Sequence, residues 1–64
     1  MPERSFTAAE MRQAAEREVQ IRRRVYPNRV ETGRMTRLQA ERQIALMQAI
    51  ADHLREHEKT ELLL

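Results

Sequence analysis

Arginine and tyrosine, not acids or nucleophiles, carry the chemistry available to this sequence. Between Arg22 and Arg37, six arginines (22, 23, 24, 29, 34 and 37) stand against one acid, Glu31. That local balance of +5 leaves −3 for the remainder of a chain whose net charge is +2. Guanidinium forks recognise carboxylates and phosphates. Tyr beside Arg is the pairing enriched at the energetic centres of protein interfaces. Arg23, Arg24, Tyr26, Arg29 and Arg34 are therefore the candidate partner-binding residues. The plainer reading of Tyr26 is a ring that covers one end of a helical bundle and keeps its hydroxyl wet. Nucleic acid is the competing partner, since arginines neutralise phosphates. It is the weaker one: no recognition-helix pattern follows, and one tyrosine makes no stacking platform.

Other chemistries lack their parts. His53 and His57 are spaced as i and i+4, with Asp52 and Glu56 nearby, but Leu54 and Arg55 follow His53, so the His-Glu-x-x-His zinc motif is absent. An exposed helix face explains this group better than a metal site. Ser5 is the sole serine and there is no cysteine, so no nucleophilic triad can be assembled. A single glycine, Gly33, rules out a phosphate-binding loop. The carboxylates lie among arginines on helix faces, the pattern of a solvated surface. The expectation is a non-enzyme with no cofactor and no metal.

Two helices must position the basic stretch. Thr7-Ala8-Ala9-Glu10 and Thr36-Arg37-Leu38-Gln39 both read as capping boxes. Pro27 has no N–H and clashes with a preceding carbonyl, so the first helix is expected to stop near Val25 or Tyr26. One short turn over 28–32 and a left-handed Gly33 then reverse the chain. The predicted organisation is a flexible leader at 1–7 and a helical hairpin at 8–58, with 59–64 a helix extension or frayed tail. Within the hairpin, the helices span 8–26 and 37–58 and the turn spans 27–36.

On the first helix, Met11, Ala14, Ala15, Glu18, Ile21, Arg22 and Val25 share one face, with Val19 on its flank. Glu18 and Arg22 are spaced for an i,i+4 ion pair, read as partly solvated rather than as a buried register-fixing pair. On the second helix, Ala40, Ile44, Met47, Ala51 and Leu54 form a stripe that Leu46 and Ile50 widen. One thin partner helix cannot cover that width. The 64 residues are 41% hydrophobic but 3% aromatic, too little bulk for a self-sufficient core. The fold class is all-α: an antiparallel hairpin dimerising into a four-helix bundle through Met11, Ala14, Ile21, Val25, Ile44, Leu46, Met47, Ile50, Ala51 and Leu54. No run approaches the ~18 apolar residues of a membrane span, and Met1-Pro2-Glu3-Arg4 opens no signal peptide. A cytoplasmic setting is expected.

The corner and second helix also carry a family resemblance. Arg22-Arg23-Arg24-Val25-Tyr26-Pro27, Val30, Gly33-Arg34-Met35-Thr36, Ala40-Glu41-Arg42, Ile44-Ala45 and Met47-Gln48-Ala49-Ile50 resemble small proteins of temperate phages and prophages of proteobacteria. That resemblance covers roughly residues 18–54, and the chain also resembles the quorum-sensing anti-activators of Pseudomonas phages. That resemblance implies a dimeric helical hairpin in the host cytoplasm. It further implies a partner of the LuxR type, a quorum-sensing regulator whose DNA binding is blocked, and a second target in the type IV pilus assembly ATPase.

Overall fold

A computed structural model of the chain describes residues 5–63. Positions 1–4 of the expected leader and Leu64 of the expected tail lie outside the described residues. Two helices are present, α1 (Ala8–Glu31) and α2 (Arg37–Leu63), and among the described residues there is no strand. Both starts are set by side chains that replace missing helical partners. At α1, Thr7 Oγ1 accepts from the Glu10 N–H at 3.0 Å, and Glu10 Oε1 accepts from the Thr7 N–H at 3.0 Å. At α2, Thr36 Oγ1 accepts from the Gln39 N–H at 3.0 Å, and Gln39 Oε1 accepts from the Thr36 N–H at 2.9 Å. The second helix continues through 59–63, so these residues extend it.

The stop expected at Val25 or Tyr26 does not occur. Helix α1 passes through Pro27 and ends at Glu31. Proline removes one amide, the one that would have met the Arg23 carbonyl, yet its fixed φ is helical and the next turn builds on it. What ends α1 is Gly33, at φ 77°. The Arg34 N–H donates to the Arg29 carbonyl at 2.9 Å and the Gly33 N–H to the Val30 carbonyl at 3.1 Å. These are the paired bonds of a Schellman close, and the left-handed residue within it disfavours any side chain with a Cβ.

The helices run antiparallel, as their rungs show. Ala8 meets Glu61, Arg12 meets Glu58, Glu16 meets Arg55 and Arg22 meets Gln43. The seam between them is thin. Its fully buried apolar residues are Ala8, Ala15, Val19, Ala40 and Ala51, and Val19 is the largest. Ile44, Met47 and Leu54 are half-buried beside them. Alanine at these positions lets the two backbones approach closely, at the cost of apolar volume.

On α2 the expected stripe of Ala40, Ile44, Met47, Ala51 and Leu54 lies in the seam; on α1 the seam keeps Ala15 and Arg22 of the expected face and otherwise lies one residue further on. Val19, expected on the flank, sits in it, while Met11, Ala14 and Ile21 of α1 and Leu46 and Ile50 of α2 are exposed. Seam positions 12, 15, 19, 22 and 26 have a second set just before them: 11, 14, 18, 21 and 25. On α2, positions 47, 51, 54 and 58 are likewise preceded by 46, 50, 53 and 57. One residue is about 100° around a helix. Because α1 and α2 run in opposite directions, equal offsets put both second sets on the same side of the hairpin. That side carries Met11, Ala14, Ile21, Val25, Leu46 and Ile50, with Glu18, His53 and His57 among them. The opposite side carries Glu16, Gln20, Arg23, Glu41, Gln48 and Arg55. The hairpin is a single helical layer, with Cα extents of 47 × 29 × 14 Å and one apolar and one polar side. Stable domains pack two layers.

Candidate functional site

The tip and the helix–helix groove below it gather the chain's recognition chemistry. Tyr26 is a seam residue of α1, half-buried, with two guanidinium groups against its ring. Arg22 Cζ is 5.9 Å and Arg29 Cζ 5.5 Å from the ring centroid. Spacings of four and three residues put both on its side of the helix. Such contacts are each worth about 0.5–1 kcal/mol at exposed positions. Arg22 is held further. Its Nε donates to Glu18 Oε2 at 3.0 Å, and its Nη1 donates across the seam to the Gln43 carbonyl at 2.6 Å. The Glu18–Arg22 pair is thus partly solvated and adds a crosslink from α1 to α2.

Of the expected partner-binding set, Tyr26 and Arg29 come together. Arg23 does not touch the ring; it lines the groove on the polar side, beside Glu41, Ile44 and Ala45. Arg24, two residues before Tyr26, projects to the far side of α1. Arg34 lies exposed in the turn, where its backbone closes α1. The sequence reading missed a hollow of about 450 Å³ beside Tyr26, lined also by Pro27, Val30, Arg37, Ala40, Glu41 and Ile44. Val30, four residues after Tyr26, was the available signal.

The open end of the hairpin is ionic. Arg12 Nη1 is 2.8 Å from Glu16 Oε1, Arg12 Nε donates to Glu58, and Arg55 donates to Glu16. Glu61 Oε1 accepts from the Ala8 N–H at 3.2 Å, placing a carboxylate at the positive end of α1. The hydrogen bond from Arg55, with the nearby Arg12, holds the Glu16 carboxyl below its ordinary value of 4.5. The Thr7 backbone N–H lowers Glu10 likewise, and the bond to Glu58 raises Arg12.

Because the folded value of Glu16 is depressed, its contribution to stability is complete above the ordinary carboxylate value and is lost as pH falls through the lowered one. Melting temperature should therefore drop between about pH 5 and 3, and Glu16→Gln should flatten that drop. Circular dichroism melts of both proteins across the range check it; parallel curves would remove Glu16 from the acid response.

His57 Nε2 lies 4.0 Å from Glu61 Oε2. Among the described residues no group of three or more His, Cys, Asp or Glu is arranged to hold a metal ion, and no helix is long and apolar enough to cross a membrane. No family model, no curated protein and no solved structure matches this chain.

Proposed function

We propose that this chain is a small phage-encoded, non-enzymatic interaction protein of the host cytoplasm that dimerises and inhibits a host protein. The leading target is a LuxR-type quorum-sensing regulator, with the type IV pilus assembly ATPase as a second. The observation that carries protein recognition is Tyr26, clamped between Arg22 and Arg29 beside an apolar hollow. Aromatic–arginine anchors at a partly enclosed hollow match the energetic centres of protein interfaces. The same clamp disfavours nucleic acid, because both guanidinium groups occupy ring surface that a base would need for stacking. The choice of a LuxR-type target rests on the resemblance to the quorum-sensing anti-activators of Pseudomonas phages.

Dimerisation is supported by area. The chain exposes 5422 Å². A compact folded monomer of 7.6 kDa exposes about 4,300 Å², roughly 1,100 Å² less. A standard interface removes about 800 Å² from each partner. The apolar side described above is the surface that a second copy would cover, giving a four-helix bundle with two layers.

Affinity capture from host lysate, with mass spectrometry of the bound fraction, tests the inhibitor reading. Wild-type protein should retain a transcriptional regulator, and Arg23→Ala with Tyr26→Ala should reduce that yield by about tenfold or more, the loss of two anchor side chains. Undiminished capture by the double variant would discard the tip. Recovery of nuclease-resistant DNA and no regulator would favour nucleic-acid binding instead.

A further inference from the structure

The interhelical groove on the polar side lies opposite the apolar side of the hairpin. The Tyr26 hollow and the hollow lined by Arg23 share Glu41 and Ile44, so the two are continuous. The floor is aliphatic: Val30, Ala40, Ile44 and Ala45 supply it, with the Pro27 ring at one rim. Charge lies at the margins. Arg23 and Arg37 line the groove, and among the described residues neither has a carboxylate within 4.0 Å. Arginines left without an internal partner at the rim of an aliphatic trough retain their donors for an incoming acid.

We infer that this groove binds an acidic protein segment carrying one aliphatic side chain. The aliphatic group seats on Val30, Ala40 and Ile44, and flanking carboxylates meet Arg23 and Arg37. This rests on the protein-binding reading above and names the chemistry of the partner. Glu41 sharpens the selection. It stands in the stretch common to both hollows, so it repels a ligand charged at every step and tolerates one whose uncharged residue lies there. A phosphodiester backbone is the first kind and a Leu between acids is the second. The groove faces away from the apolar side, so a dimer made on that side leaves both copies of the groove open.

The test uses the full chain, isotopically labelled for NMR, and a short blocked peptide of Asp and Glu with one central Leu. Control ligands are the same peptide with Ser for Leu, and a short DNA duplex. The Leu peptide should shift Val30, Ala40 and Ile44. It should bind about tenfold more tightly than the Ser peptide and lose about tenfold against Arg23→Glu with Arg37→Glu, the scale of one anchor contact. Circular dichroism and sedimentation confirm that the variant keeps its helices and its association state. Equal affinity for both peptides, shifts centred on Ile21 and Ile50, absence of binding at low salt, or equal competition by DNA would each overturn the inference. Host capture that survives the two charge reversals removes the groove and leaves the inhibitor reading intact. Peptide binding without any captured regulator does the reverse.

Discussion

Leu46→Asp with Ile50→Asp should turn the proposed dimer into separate, largely unfolded chains. In the lone hairpin these side chains are 55% and 41% exposed. If that were their final state, two aspartates would be ordinary surface changes, within about 0.5 kcal/mol each. If a second copy covers them, each substitution removes about 1.5 kcal/mol or more of apolar burial. Twofold symmetry repeats the loss on both copies. The dimer then weakens by about 6 kcal/mol, a factor of about 10⁴ in dissociation constant. Since among the described residues the seam holds only four alanines and a valine fully buried, folding should fail with association. Sedimentation equilibrium and melting at several protein concentrations measure both. Wild type should melt higher as concentration rises, as linked folding and association require. A variant that melts like wild type, with neither depending on concentration, would end the dimer proposal.

Ala51→Leu should be the most damaging conservative change in the hairpin itself. Ala51 is fully buried. The Arg12–Glu58 and Arg22–Gln43 rungs bracket it, and between them α1 offers Ala15 and Val19. Three added carbons have nowhere to go unless the helices separate, and separation breaks the rungs on either side. Overpacking of this kind costs about 1–3 kcal/mol, a large share of the stability of a small protein. Ala49→Leu adds the same atoms two residues away on an exposed position and should be near neutral. Urea midpoints compare the pair directly. Equal midpoints would mean that the alanine seam does not set the helix spacing.

Much of the architecture is legible in local chemistry. A threonine hydroxyl three residues before Glu10 or Gln39 satisfies orphan amides whatever the tertiary structure, so both helix starts can be read from the sequence. Gly33 is legible for the same reason: the left-handed position tolerates little else. Pro27 misleads because its steric rule is strict for the preceding turn but permissive for the following one. The phase of α1 misleads for a different reason. Met11, Ile21 and Val25 together outweigh Ala8 and Val19 in bulk, so a hydrophobic count joins the former, and not the latter, to Ala15. The hairpin selects the latter, because small side chains permit a close seam and Arg12 and Arg22 find Glu58 and the Gln43 carbonyl there. Those acceptors belong to the other helix, and no single-helix pattern contains them. The tip hollow has the same origin: Tyr26 and Val30 meet Ala40 and Ile44 only after the chain has folded back.

The link between α1 and α2 is only residues 32–36. Joining helix ends across so short a tether forfeits little chain entropy, so pairing can begin beside Gly33 and advance rung by rung. Traversed backwards, that zipper opens from Ala8 and Glu61 first. Amide protons near the elbow then exchange slowest, and those at the charged far end fastest, a gradient running lengthwise along one molecule.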